Sequence, residues 1–288
     1  RKYWQKRLAS NPQTFLDLHQ TNETNAVGRE VARVGWDQDR SARFEEVCAK
    51  SKRFSARAML LTALADAIAD GETRKNALRI DLEGHGRSSG EAKSAAAVDP
   101  ASIVGWLTAL HPFVFDYCGD DDALSRVLSI QQQIEDIPLG GWSYGAFRYL
   151  SDKDELEDLR LSYGEVLFNY LGDTSFADSN ALWKDVSRLE LSCGKDEHLG
   201  YPIEINVFRH QGRLRFEWRF DRRKVSREIA QGLIRDFELR LEELMEALAE
   251  NSTRSRRLAS DFPLAGLDDR KLGQLAKALN KTSHRGGR

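Results

Sequence analysis

The sequence predicts a mixed α/β fold, α+β-like, in which a mixed sheet carries covering helices. Three observations point there: a hairpin pattern over residues 203–220, a long amphipathic helix directly after it, and strand and helix signals that alternate irregularly before it. The clearest strand pair is a hairpin, so a doubly wound parallel sheet, whose strands are joined by helical crossovers, is the poorer fit.

The elements follow in chain order. Ser55 is an N-cap by type, and Met59, Leu60, Ala63, Leu64, Ala67 and Ile68 recur at helical spacing until Gly71 stops the run. A strand comes next: Leu78, Ile80 and Leu82 alternate with Arg79, Asp81 and Glu83, a period of two that puts Glu83 on a polar face. It runs into Gly84-His85-Gly86, where glycines on both sides of a histidine permit a sharp turn and the close approach of another molecule. Residues 88–101 are small and polar and read as a loop, and residues 103–108 resume a strand-like run. A second helix is expected over about 122–137, ended by Pro138.

In the hairpin, Ile203, Ile205 and Val207, then Leu214, Phe216, Trp218 and Phe220, alternate with polar residues about a turn at His210-Gln211-Gly212-Arg213. One face of it is therefore buried. Val225, Ile229, Leu233, Phe237, Leu241, Leu244 and Leu248 recur every three or four residues, which lays the last helix on the sheet. From about Asn251 the chain turns polar and passes a short helical run at 268–279, so residues 251–288 read as a linker after a folded part spanning 1–250.

Lys plus Arg total 43 and Asp plus Glu 45 in 288 residues, a formal net charge of -2 that offers no field to nucleic acid or an anionic membrane. The basic end, residues 281–288, reads as a solvated tail. Cys48, Cys118 and Cys193 are odd in number, far apart and without a C-x-x-C pair, as expected of free thiols in a reducing, cytoplasmic compartment. No apolar run approaches the roughly 20 residues that span a bilayer. The opening Arg1-Lys2-Tyr3-Trp4 carries neither methionine nor signal segment and reads as part of a longer protein.

Several chemistries lack their motifs. Gly84-His85-Gly86 followed by Gly90 misses the dinucleotide fingerprint by one residue, there is no G-K-[ST] loop, and neither H-E-x-x-H nor a metal-spaced Cys/His pair occurs. Ser88 and Ser89 lack a nucleophile elbow. What remains is Glu83, a carboxylate at a strand end beside a glycine-flanked turn, a place suited to proton transfer. Alone it reads equally as a solvated or ion-paired residue, and His85 as an ordinary turn residue.

The motifs downstream decide between these. Val104-Gly105-Trp106-Leu107-Thr108 with His111-Pro112, then Pro138-Leu139-Gly140-Gly141-Trp142-Ser143-Tyr144-Gly145, then Phe168-Asn169-Tyr170-Leu171-Gly172, together with the Gly-His-Gly-Arg turn, resemble in order and spacing the later signatures of epimerization domains of nonribosomal peptide synthetases, in the condensation-domain superfamily. Tyr3-Trp4 and Ser260-Asp261-Phe262-Pro263-Leu264 look like the start of that family's C-terminal half and its exit linker. The resemblance implies one lobe of the chloramphenicol-acetyltransferase-like two-lobed fold. It implies no directly bound cofactor and no metal, a substrate presented on the phosphopantetheine arm of a carrier protein, and an N-terminal lobe carrying His-His-x-x-x-Asp-Gly as partner, a signature absent from this sequence.

By the same resemblance Glu83 is the catalytic acid/base for the Cα proton of a carrier-bound aminoacyl or peptidyl residue, in an apolar setting expected from Leu82 and Trp106. Asn169, Tyr170, His85 and Tyr144 are the candidate substrate-binding residues. The plainer alternatives have Asn169 holding a turn before Gly172, Tyr170 packed in the core, and Trp106, Trp142 and Tyr144 serving as packing instead of lining a channel. The chain departs from the family pattern at Ser88, at Ser102-Ile103, at Leu107 and His111, and at Ser143. Those departures leave open a noncatalytic lobe that docks a carrier protein, and a condensation or acyl-transfer member of the superfamily.

Overall fold

The computed structural model describes residues 2–9, 28–68, 78–87, 103–115, 122–151, 164–175 and 200–251. The loop at 88–101, Gly71, Gly90, Ser102, Cys118, Cys193 and the expected linker beyond Asn251 lie outside them. The chain divides into a unit of Arg1–Leu248 and one of Ala249–Arg288, and the elements below belong to the first but for the tip of the last helix.

In chain order these are α1 (Lys2–Ala9), β1 (Arg29–Gly35), α2 (Gln38–Ser51), α3 (Ala56–Ile68), β2 (Leu78–Gly84), β3 (Ala109–Phe115), α4 (Ala123–Glu135), a 3-10 turn (Pro138–Gly141), α5 (Trp142–Leu150), β4 (Val166–Asp173), β5 (Ile203–His210), β6 (Arg213–Asp221) and α6 (Arg227–Asn251). The strands form one sheet in the order β1-β6-β5-β4-β2-β3. β4 runs parallel to both β2 and β5, and the remaining neighbours are antiparallel. This is the mixed sheet with covering helices that the sequence predicts.

Small polar side chains start the helices. Asp37 accepts from the Arg40 amide at 2.8 Å ahead of α2, Ser55 from the Ala58 amide at 3.2 Å ahead of α3, and Asp122 from the Ser125 amide at 3.0 Å ahead of α4. The hairpin turns through Gln211 and Gly212, both at positive φ. One face of the sheet is a continuous apolar layer: Ile80, Leu82, Phe168, Ile205, Val207, Phe216 and Trp218 are buried. Phe237 of α6 seals it, its ring 5.3 Å from Trp218 and 5.6 Å from Phe216. The last helix thus lies on the sheet as its spacing requires, although Val225 precedes its first turn.

Two expectations need correction. Residues 103–108 are irregular, and β3 begins only at Ala109. The carbonyls of Ile103 and Gly105 are taken by the Arg87 guanidinium at 2.7 and 3.0 Å, and Val104 and Trp106 have no layer to pack on. The polar positions of β2 are not solvated either: Arg79 and Asp81 are buried. Asp81 accepts from the Gly164 amide at 2.7 Å and the Tyr201 hydroxyl at 3.0 Å, so the sheet's second face is partly covered. Pro112 fits within β3 because that strand is an edge.

Candidate functional site

Glu83 is the penultimate residue of β2, and strand register decides its neighbours. It pairs with Asn169 of β4 on one side and Leu110 of β3 on the other. The row continues from Asn169 to Asn206 of β5, Glu217 of β6 and Arg33 of β1, so one line of polar side chains crosses the sheet on the face opposite the apolar layer. Glu83 is half-buried. Burial first, and the Glu204 carboxylate second, push its carboxyl above the ordinary range.

The apolar setting expected from Leu82 and Trp106 is not what does this. Leu82 points into the core and Trp106 is 86% exposed, whereas Leu110 stands beside Glu83 on the same face. Asn169 is buried within β4, not in a turn. Tyr170, one residue on, points to the other face, where it packs against the apolar cluster, with burial pushing its phenol up. The strand therefore brings Asn169 to Glu83 and turns Tyr170 away.

Past Glu83 the chain turns at Gly86, whose φ is +64°. A Cβ there would lie 1.6 Å from the Leu107 carbonyl oxygen and 2.8 Å from the Trp142 Nε1, so only glycine lets the turn seat against both. His85 is exposed, and its Nδ1 accepts from the Arg87 amide at 2.9 Å, a contact that shapes the turn. Arg87 in turn holds the 103–105 backbone. From behind, Arg57 of α3 reaches the Glu83 carbonyl at 3.3 Å.

Next to this turn an open cleft of about 350 Å³ runs between residues 106–110 and α5. Trp106, Leu110, Trp142, Tyr144, Arg148 and Tyr149 line it. Of the three aromatics read as packing or lining, Tyr144 does both: it lines the cleft while buried 5.1 Å from Trp4, and it takes a hydrogen bond from Arg148 at 3.4 Å. Trp106 and Trp142, at 86% and 44% exposed, are wall. Leu110 both lines the cleft and pairs with Glu83 across β2 and β3.

The family model described as condensation domain matches residues 1–262. This chain belongs to the condensation-domain family. The condensation-domain chain is 28% identical to a linear gramicidin synthase protein of Brevibacillus parabrevis over 276 residues, which is 93% of it and 3% of that protein. It is 26% identical to bacitracin synthase 3 of Bacillus licheniformis over 274 residues, 93% of it and 4% of that protein. It thus spans a small fraction of these relatives. Among solved structures, the epimerization domain from the third module of tyrocidine synthetase B superposes with a TM-score of 0.61 at 19% identity, covering 86% of this chain and 57% of that one, a likeness of fold.

Sequence reasoning missed several residues that the fold brings near Glu83 and the cleft. Glu204 and Asn206 read as the outward side of a hairpin, and only the register through β4 brings them toward Glu83. His111, noted merely as a departure, is buried beneath the cleft against Trp4, and burial pushes its imidazole down to about 4. Among the described residues no group of three or more His, Cys, Asp or Glu is arranged to hold a metal ion, and no helix is long and apolar enough to cross a membrane.

Proposed function

We propose that this chain is the C-terminal lobe, residues 1–250, of an epimerization domain of a nonribosomal peptide synthetase, with residues 251–288 leading out of it. The observation that carries the reading is the pairing of Glu83 with Asn169 beside an open, aromatic-walled cleft. A carrier protein presents an L-aminoacyl or peptidyl thioester on its phosphopantetheine arm. Glu83 handles the Cα proton from one side, and a histidine of the His-His-x-x-x-Asp-Gly lobe works from the other, so the proton returns on the opposite face.

The physical case rests on proton affinity and placement. A carboxylate of ordinary affinity is almost wholly ionised near neutral pH and donates protons poorly, whereas Glu83 is pushed upward by its surroundings. The Asn169 side-chain amide, one strand away, suits donation to the thioester oxygen as negative charge develops there. His85 and Tyr144 lie at the turn and in the cleft wall, where an incoming arm passes.

The test joins the chain to its N-terminal lobe and loaded carrier protein and follows the configuration of the released amino acid. The D isomer should form and disappear with Glu83→Gln; D isomer still produced by that variant overturns the role. The family description favours a second reading, condensation of two carrier-bound acyl groups. Peptide product without D isomer in the same assay selects it.

A further inference from the structure

We propose that Glu204 is a positioning residue of this site, one that decides whether Glu83 meets its substrate as a carboxylic acid or as a carboxylate. The inference rests on the reading of Glu83 as the acid/base group, and it starts from register. Glu204 of β5 pairs with Leu167 of β4, which pairs with Asp81 of β2, one step along from the row Glu83, Asn169, Asn206. Glu204 and Glu83 therefore lie diagonally across β4 on one sheet face, with apolar Leu167 beside the line between them.

The other charged groups on this face are engaged. Asp81 is held by the Gly164 amide, the Tyr201 hydroxyl and, at 3.4 Å, the buried Arg79 guanidinium of its own strand, and Glu217 by Arg33 at 3.0 Å and Arg219 at 2.7 Å. Burial first, with Glu217 adding repulsion, raises the Glu204 carboxyl above its ordinary range, while Arg219 at 3.6 Å and Arg29 pull it back down. β3 contributes only Leu110 beside Glu83, β4 only the neutral Asn169, and Arg57 meets Glu83 through its backbone carbonyl. At the turn, His85 is bound to the Arg87 amide and the Arg87 guanidinium to the 103–105 backbone.

The two carboxylates are thus unequal. Glu204 is 17% exposed and has a guanidinium to hold its charge, whereas Glu83 faces Glu204 as a like charge. Two half-buried carboxylates on one face do not both ionise cheaply, so the one with the cation ionises first and the other keeps its proton to higher pH. Glu204 never touches the substrate in this scheme; it acts through Glu83.

The test is a carbon-13 titration of the side-chain carboxyls in the whole chain, the Glu83 resonance being identified by its loss in Glu83→Gln. With Glu204→Gln the Glu83 midpoint should shift to lower pH, and Glu204→Asp, which keeps the charge, should restore most of it. An unchanged midpoint in a folded Glu204→Gln overturns the proposal. Should that variant fail to fold, the unmodified chain still decides: the Glu83 resonance is expected to show a second inflection at the Glu204 midpoint, and a single-step curve overturns the coupling. The readout needs no turnover, so a shifted midpoint without D-isomer formation removes the epimerase reading and leaves the coupling standing.

Discussion

The Arg87 guanidinium donates to the Gly105 carbonyl at 3.0 Å and so ties the turn after Glu83 to the loop that carries Trp106. A second bond from the same group, to the Ile103 carbonyl at 2.7 Å, makes the tie a two-point clamp. The acid/base candidate and the exposed cleft wall are thereby one mechanical unit.

Removing the clamp should free the wall without unfolding the sheet. Each bond is made by a charged donor, worth about 1.5–3 kcal/mol where buried and less at this half-exposed position. Arg87→Ala should speed amide hydrogen exchange across residues 103–108 by roughly tenfold, about 1.4 kcal/mol, while β2 exchange stays unchanged. Arg87→Lys should recover little, since an ammonium has no planar fork to span two carbonyls.

Below the cleft, His111 makes stability depend on acid. Its imidazole is pushed from 6.5 down to about 4, so the unfolded chain takes up a proton before the folded one does. The contribution is complete above the unfolded value and is lost as pH falls toward about 4; the full span corresponds to roughly 3 kcal/mol. Urea midpoints across that window should fall less steeply for His111→Gln than for the unmodified chain.

Glu83 works in the opposite sense. Its folded proton affinity is raised above the ordinary 4.5, so folding favours the protonated carboxyl and is opposed by ionisation as pH rises. Glu83→Gln should therefore melt at a higher temperature near neutral pH and gain nothing in acid. A lower Tm at neutral pH would argue against a carboxyl held under strain.

Gly141 caps the start of α5 at φ +98°, and a Cβ there would lie 1.9 Å from the His111 ring. Gly141→Ala combines about 1–2 kcal/mol of left-handed strain with overpacking of about 1–3 kcal/mol. A loss of roughly 2–5 kcal/mol in urea unfolding is expected. Gly145→Ala, within α5 and open on its Cβ side, should cost little.

Most of the architecture was legible because it is periodic. The hairpin, α6 and the alternation in β2 each announce a buried face within a few residues. What misled was local pattern without its cover: residues 103–108 alternate like a strand, but their carbonyls go to Arg87 and no strand lies alongside among the described residues. Glu83 could be found from its turn and Asn169 from its motif. Their adjacency, the departure of Tyr170 to the other face and the approach of Glu204 depend on register across β4, a pairing between segments far apart in the chain. β1 is half-exposed along much of its length, and α2 buries only the narrow stripe Ser41, Phe44 and Val47, one of them polar, so neither announces itself strongly.

The pairing of Arg29 with Asp221 has a consequence for how the molecule is made. β1 leaves the ribosome long before β6, its neighbour in the sheet, so an early edge must wait, unpaired, while nearly the whole lobe is translated. β4 likewise slots between strands that come before and after it, and no run of hairpins zips the sheet from one end. Such non-local closure means slow folding. A version in which the β1 segment is moved to follow β6 should refold faster than the natural order.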